Sequence, residues 1–120
     1  MGKVLVVDDQ KQIGDLYKTI IDSVGHNCVV LNSGKEALEQ IKKIQFDLIL
    51  LDISMPDMDG IELIKKIKTE QNASDAKIVF ITASMPPNQT VNTLKELGAK
   101  TVLMKPVKKK EMIEMIAKYL

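Results

Sequence analysis

Residues 47–51 read DLILL, and this short run indicates the fold class. Four consecutive apolar side chains with no polar residue between them are typical of a strand buried on both faces, as in a parallel sheet covered by helices. Runs of the same kind occur at 3–7, 27–31, 77–82 and 101–104. The sequence therefore predicts five buried strands.

The segments between these runs carry apolar residues at helical spacing. The stripes are Ile13, Leu16, Tyr17, Ile20, Ile21 and Val24; Ala37, Leu38, Ile41 and Ile44; Leu63, Ile64 and Ile67; Val91, Leu94 and Leu97; and Met112, Ile113, Ile116 and Leu120. Five alternating strand and helix units in about 120 residues predict an α/β fold with an open, doubly wound parallel sheet. A closed eightfold barrel needs about twice that length.

Capping residues and glycines mark the expected ends of these helices. Ser33 and Asp59 are each followed three residues later by Glu, the pattern of a helix N-terminus. Gly25 and Gly98 fall where the first and fourth helices should stop, because glycine adopts the left-handed conformation at little cost. The helix ends that these residues indicate agree with those indicated by the spacing of the apolar residues.

Composition excludes several classes of protein. Hydrophobic residues make up 45% and charged residues 28% of the chain, as in soluble globular domains. One cysteine excludes an intrachain disulfide. No apolar run approaches the ~18 residues of a membrane span, and the first nine residues do not read as a signal peptide. We therefore expect one cytoplasmic domain over residues 1–120, with no output domain and no membrane contact.

The charges are unevenly distributed along the chain. Residues 1–60 carry six lysines and ten acids, whereas residues 61–120 carry eleven lysines and six acids. All seventeen cations are lysines, so the guanidinium fork that reads phosphate or guanine is missing. With only four aromatic side chains to stack on bases, nucleic-acid binding is not expected.

Polar residues follow four of the five predicted strands. Asp8 and Asp9 come after the first strand, Asp52 after the third, Thr82 ends the fourth, and Lys105 follows the fifth. Right-handed crossovers direct parallel strands the same way, so these residues should meet at the carboxyl edge of the sheet, where ligands bind in such folds.

Three carboxylates in one place repel each other, and an oxygen-ligated cation relieves that repulsion. Mg²⁺ suits a site with few carboxylates because it keeps several of its waters. Beside such a cation a carboxylate can attack a phosphoryl group, and the lysine ammonium and threonine hydroxyl can stabilise the phosphoryl oxygens. The cluster therefore predicts Mg²⁺-dependent phosphoryl chemistry.

Five motifs in order make the chain similar to a response-regulator receiver domain of the chemotaxis type. They are VLVVDD at 4–9, DLILLDISMPDMDG at 47–60, ITAS at 81–84, LGA at 97–99 and KP at 105–106. The resemblance covers nearly all 120 residues. It implies a flavodoxin-like (βα)5 fold with strand order 2-1-3-4-5.

The resemblance also implies a role for each residue of the cluster. Asp52 resembles the phosphoacceptor, Asp8 and Asp9 the acidic pair that holds Mg²⁺, and Ser54 a backbone carbonyl ligand to the same ion. Thr82 resembles the switch hydroxyl, and Lys105 the ammonium that precedes a cis peptide bond to proline.

One position departs from the family pattern. The family usually has Tyr or Phe three residues before this lysine, and the ring turns inward on phosphorylation. Here the residue is Val102, which puts the coupling between Thr82 and the output surface in question.

The family further implies its partners. The phosphoryl group should come from a histidine kinase or phosphotransfer protein, and the signal should pass by docking to a downstream protein through the 91–120 face, or by onward transfer. Lys95, Lys100, Lys108, Lys109, Lys110 and Lys118 would make that face basic. Such a protein is a phosphoacceptor rather than an enzyme.

Three alternatives compete with this interpretation. A small aspartate-dependent phosphatase usually has a second acid two residues after the nucleophile, where this chain has Ser54. A flavodoxin-like cofactor binder should carry a Ser, Thr and Gly-rich loop where Asp8 and Asp9 stand. A degenerate receiver, acting only as an interaction module, is disfavoured by the intact five-residue cluster, although Val102 keeps it open.

Overall fold

The computed structural model describes residues 2–73 and 75–120, with Ser54 described by its backbone alone. Five parallel strands form the main sheet: β1 (Lys3–Val7), β2 (Asn27–Leu31), β3 (Leu48–Asp52), β6 (Lys77–Thr82) and β7 (Ala99–Met104). Their order is β2-β1-β3-β6-β7. Counted among the five strands of this sheet, that is the predicted 2-1-3-4-5 order, so the doubly wound fold is confirmed.

The helices lie between these strands as the apolar stripes predict. They are α1 (Lys11–Ser23), α2 (Gly34–Lys43), α3 (Gly60–Lys68), α4 (Asn88–Glu96) and α5 (Lys109–Tyr119), with a short 3₁₀ turn at Gln71–Ala73. Ser33 and Asp59 accept hydrogen bonds from the backbone N–H groups of Glu36 and Glu62, so both expected N-caps form. Gly25 and Gly98 have φ values of 90° and 117°, the left-handed stops expected there.

Two apolar cores lie on opposite faces of the sheet. On one face, α2, α3 and α4 pack against alternate strand residues such as Leu51 and Phe80. On the other face, α1 and α5 pack against the intervening residues, such as Leu50 and Ile81. Since successive strand side chains point to opposite faces, each unbroken apolar run supplies both cores. Every residue of β3 is buried, as expected for the central strand.

The structure corrects several details of the sequence prediction. The third strand runs one residue further than 47–51 and ends on Asp52 itself, and the fifth begins two residues before 101. A small antiparallel hairpin, β4 (Ser54–Met55) and β5 (Met58–Asp59), was not predicted because strands of two residues carry no periodic signal.

Three members of the predicted stripes do not reach the core. Leu16, Val24 and Leu120 are 55%, 38% and 40% exposed, because they lie at the margins of their stripes or at a helix end. Within the described residues, no helix has both the length and the apolar character needed to cross a membrane.

Candidate functional site

The carboxyl edge of the sheet brings the predicted cluster together. Asp8 directly follows β1, Asp52 ends β3, Thr82 ends β6, and Lys105 directly follows β7. Because β3 lies between β1 and β6, Asp52 occupies the centre of this edge. The sequence prediction that these strand ends meet is therefore confirmed.

Three carboxylates converge within this edge. One oxygen each from Asp8, Asp9 and Asp52 can be chosen so that all three lie within 4.8 Å of one another. Asp8 and Asp52 are 2% and 6% exposed, whereas Asp9 is exposed to solvent. The group thus consists of two buried carboxylates and one that is open to solvent.

Lys105 supplies the positive charge of the cluster. Its Nζ lies 2.8 Å from Asp8 Oδ2 and 3.2 Å from Asp52 Oδ2, and its side chain is only 12% exposed. Burial by itself lowers the pKa of Lys105, but the two carboxylates outweigh burial and raise that pKa above its usual value. Lys105 therefore remains an ammonium at neutral pH.

The backbone fixes the direction from which Lys105 enters the site. Its N–H donates to the carbonyl of Thr82 at 2.7 Å, which joins the ends of β6 and β7. The peptide bond from Lys105 to Pro106 is cis, as the family resemblance implies. The lysine and threonine at this edge are therefore tied to each other through the main chain.

The Thr82 hydroxyl is engaged within its own loop. Its Oγ1 donates to the carbonyl of Ser84 at 2.8 Å, and the Ser84 N–H donates to Thr82 Oγ1 at 3.2 Å. Thr82 is 3% exposed. Any group that recruits this hydroxyl has to compete with the Ser84 carbonyl.

The structure adds Asn32 to the residues found by sequence. Asn32 Nδ2 donates to the backbone carbonyl of Asp8 at 2.9 Å, and the N–H of Asp8 donates to the carbonyl of Leu31 at 3.1 Å. The Asp8 carboxylate itself accepts from the N–H of Gln10 at 2.9 Å. Asn32 follows β2 as Asp8 follows β1, so its position at a strand end could have identified it from the sequence. It was not singled out because its side chain carries no charge.

Asp57 is a second residue that the sequence did not single out. Its two carboxylate oxygens accept hydrogen bonds from the N–H groups of Gly34 and Lys35, at 3.2 and 3.1 Å. It lies in the turn of the β4–β5 hairpin, whose first residue is Ser54. The motif at 47–60 contains Asp57 but does not show which backbone it holds.

Tyr17 packs behind the site. The residue is 2% exposed, and burial raises the pKa of its hydroxyl despite a hydrogen bond with the backbone of Val107. That contact joins α1 to the segment that follows Lys105 and Pro106. The helical stripe predicted that Tyr17 is buried, but only the fold shows what its hydroxyl contacts.

Val102 and the lysines occupy the last third of the fold. Val102 pairs with Phe80 in the sheet, is 9% exposed and packs on the α2–α4 face. The lysines of the predicted basic face, which are Lys95, Lys100, Lys108, Lys109, Lys110 and Lys118, are exposed.

The donor set fits a hard divalent cation. Three carboxylates against one ammonium leave a formal charge of −2 in a largely buried edge. Carboxylate oxygens are the ligands that Mg²⁺ prefers, and an exposed Asp9 leaves room for bound water. The acidic pocket is therefore compatible with both Mg²⁺ and phosphorylation.

Comparison with known proteins assigns the family. Residues 4–117 match the family model described as the response regulator receiver domain. The response regulator SaeR of Staphylococcus epidermidis is 33% identical over 113 residues, which are 94% of this chain and 48% of SaeR. The DNA-binding response regulator MtrA of Mycobacterium tuberculosis is 32% identical over 111 residues, covering 92% and 47%. The chain thus spans about half the length of these two relatives.

Solved structures show the same fold over the whole chain. The chemotaxis protein CheY4 of Vibrio cholerae superposes with a TM-score of 0.92 at 28% identity, covering 100% of this chain and 99% of CheY4. A CheY-like receiver domain protein from Methanospirillum hungatei gives 0.90 at 29% identity, covering 98% and 92%. This chain belongs to the response regulator receiver domain family, the phosphoacceptor signalling domains of two-component systems.

Proposed function

We propose that Asp52 is the residue of this chain that accepts the phosphoryl group. The observation that carries this proposal is its position: a buried carboxylate at the end of the central strand, 3.2 Å from the Lys105 ammonium and grouped with the carboxylates of Asp8 and Asp9. No other acid among the described residues combines a central position with this set of neighbours.

The reaction is a displacement at phosphorus. A carboxylate oxygen of Asp52 forms a bond to phosphorus while the bond from phosphorus to the donor breaks, and the donor leaves with the electron pair. The product is an aspartyl phosphate. Positioning and neutralisation of the phosphoryl oxygens supply most of the catalysis in such transfers.

The cation site would be formed by Asp8, Asp9 and Asp52, with the backbone carbonyl of Ser54 as a further ligand. Mg²⁺ held there neutralises charge on the phosphoryl oxygens when it is bound. Lys105 would contact a phosphoryl oxygen from the other side, since its ammonium already lies beside Asp52. Thr82 would donate its hydroxyl after releasing Ser84.

The phosphoryl donor and the downstream partner follow from the assignment of Asp52 as the phosphoacceptor. Response regulators receive their phosphoryl group from histidine kinases and act on downstream targets, and we propose a histidine kinase or phosphotransfer protein as donor here. The exposed lysines of the 91–120 face support docking of a downstream protein on that face, or onward phosphoryl transfer. We place the domain in the cytoplasm, where such kinases present their phosphohistidine, and describe it as a phosphoacceptor rather than an enzyme.

The competing functions find less support in the site. A phosphatase needs a second acid near the nucleophile, and Ser54 stands at the usual position. A degenerate receiver should have lost members of the cluster, whereas all five side chains are present and meet at one edge. These alternatives are therefore not favoured.

Acetyl phosphate with Mg²⁺ tests the assignment directly. Intact-protein mass spectrometry should show one added phosphoryl group on the wild type and none on Asp52→Asn. The matched control is Asp15→Asn, which removes a carboxylate from the exposed surface of α1 and should be labelled like the wild type. Equal labelling of Asp52→Asn would remove Asp52 from this role.

A further inference from the structure

Two separate loops carry the proposed cation ligands. The loop after β1 holds Asp8 and Asp9, and the segment after β3 leads into the β4–β5 hairpin, which begins at Ser54. Divalent ions with short bonds tolerate little error in the spacing of their ligands, since Mg²⁺ demands nearly ideal octahedral geometry. β1 and β3 pair directly as far as Val7 and Leu51, so beyond these residues other contacts have to hold the two loops at a fixed separation.

The 31–35 turn, which runs from the last residue of β2 to the second residue of α2, contacts both loops. On one side it holds the β1 loop: the Asp8 N–H donates to the Leu31 carbonyl at 3.1 Å, and Asn32 Nδ2 donates to the Asp8 carbonyl at 2.9 Å. Both contacts are to the backbone of Asp8, so they fix the main chain that aims its carboxylate.

On its other side the same turn holds the hairpin. Asp57 accepts from the N–H groups of Gly34 and Lys35, the first two residues of α2. A carboxylate is favoured at a helix N-terminus because the free N–H groups and the helix dipole both attract it. This contact anchors the hairpin through its turn.

Close packing reinforces that second contact. A Cβ atom added at Gly34 would lie 3.3 Å from Cβ of Met58 and 3.6 Å from Oδ2 of Asp57. The hairpin therefore lies directly against the backbone at Gly34, and a side chain there would push it outward. Glycine at this position permits the approach that Asp57 requires.

We propose that the 31–35 turn sets the separation of the two ligand loops, with Asn32 and Asp57 as positioning residues for the divalent cation. This inference rests on the proposed function, because it concerns the cation that Asp8, Asp9 and Asp52 would hold. Neither residue belongs to the ligand set itself. Each acts through the backbone of a loop that carries ligands.

Magnesium titration followed by amide chemical shifts of residues 8, 9 and 53 tests the proposal on the protein alone. Asn32→Ala and Asp57→Ala should each weaken Mg²⁺ binding about tenfold, the low end of the range for residues that hold metal ligands in place. The double variant should also lose about tenfold rather than about a hundredfold, because the two contacts act in series through one turn and weakening either one already loosens the separation that both maintain.

Three control variants separate positioning from stability and charge. Ser33→Ala removes the side-chain cap of the same helix but leaves both Asp57 contacts, so its Mg²⁺ affinity should equal that of the wild type. Asp57→Asn keeps one acceptor oxygen and should fall between wild type and Asp57→Ala. A pure charge effect would instead make Asn and Ala equal at this position and leave Asn32→Ala unaffected.

The outcomes distinguish this inference from the proposed function. Wild-type affinity in Asn32→Ala or Asp57→Ala, a hundredfold loss in the double variant, or an equal loss in Ser33→Ala would each overturn the positioning role. Absence of Mg²⁺ binding in the wild type would overturn the proposed cation site together with this inference. Amide hydrogen exchange at Gly34 and Lys35 should accelerate in Asp57→Ala, and unchanged protection there would also count against the proposal.

Discussion

The ammonium of Lys105 lies 3.2 Å from a carboxylate oxygen of Asp52, although the two residues are 53 positions apart in the sequence. The same ammonium lies 2.8 Å from Asp8. One cation therefore partly neutralises two buried carboxylates, and a third carboxylate, that of Asp9, closes the group. The balance of charge in this edge leads to the stability predictions for Lys105→Ala and Asp9→Asn.

Lys105→Ala should retain the fold but lose stability in Mg²⁺-free buffer. Removing one member of a buried ion pair leaves carboxylates without their counter-ion, and we expect a loss of about 3 kcal/mol in the free energy of unfolding. Mg²⁺ should restore part of this loss. Urea unfolding with and without Mg²⁺ measures both effects, and Lys65→Ala, at an exposed position on α3, is the control.

The same variant should show no phosphorylation-linked change at Thr82 and Ser84, since Lys105 would no longer contact the phosphoryl oxygens. Amide chemical shifts before and after labelling with acetyl phosphate report this change. A response equal to that of the wild type would remove Lys105 from the mechanism.

Asp9→Asn should stabilise the protein without Mg²⁺ and abolish most stabilisation by Mg²⁺. The substitution removes one of three mutually repelling carboxylates, so we expect a small gain in the free energy of unfolding, limited by the exposure of Asp9 to solvent. A ligand bound only by the folded state stabilises that state, so losing a cation ligand removes the benefit. Asp15→Asn should behave like the wild type in both buffers, and a loss of stability in Mg²⁺-free Asp9→Asn would contradict the repulsion argument.

Thr82→Val should uncouple Ser84 from phosphorylation. In the wild type we expect the Thr82 hydroxyl to leave the Ser84 carbonyl for the phosphoryl group, which shifts the Ser84 amide resonance. Valine has nearly the same shape but no hydroxyl, so this shift should vanish, whereas Thr82→Ser should preserve it. A wild-type shift in Thr82→Val would show that the loop responds by another route.

Val102 should limit how far the signal travels. An aliphatic side chain packed beside Phe80 has no ring to move inward when Thr82 shifts. Amides next to Lys105 should respond to the phosphoryl group directly, but we expect phosphorylation to leave the amide shifts of residues 109–119, in α5, nearly unchanged. Two-dimensional NMR of the labelled and unlabelled protein decides this, because large shifts in that range would show that another residue replaces the aromatic.

Cys28 should make stability fall with pH above about 8.5. Burial raises the pKa of its thiol to about 12, so the unfolded chain loses this proton at a lower pH than the folded chain does. Between the pKa of the unfolded chain and that of the folded chain, deprotonation favours the unfolded state. The free energy of unfolding should therefore drop by about 1–2 kcal/mol from pH 8 to pH 10.

When the free energy of unfolding is measured in urea across this pH range, it should fall more steeply with pH for the wild type than for Cys28→Ala or Cys28→Val. The raised pKa of Lys105 acts in the same direction but at higher pH: its contribution to stability is complete below about pH 10.4 and is lost as pH rises from there through the folded-state pKa. Parallel declines in wild type and variants would show that Cys28 does not cause the slope.

The sequence determined the fold class and most of the site. Unbroken apolar runs predict strands covered on both faces, and the direction of parallel strands then places Asp8, Asp52 and Thr82 at one edge. The order of the five main strands and the helix caps at Ser33 and Asp59 are observed as predicted. The helix caps are local and the shared edge follows from chain direction, so a single sequence contains them, whereas the strand order was implied by the family resemblance.

Only the tertiary structure decided which groups touch. The periodicity placed Leu16 in the first helical stripe, yet it is 55% exposed, because the surface that a helix meets depends on its neighbours. The contacts of Asn32 with Asp8, and of Asp57 with Gly34, join segments 24 and 23 residues apart through one hydrogen bond each between a side chain and the backbone. Such bonds depend on distances that chain packing sets to within an ångström, and residue type and spacing alone do not specify those distances.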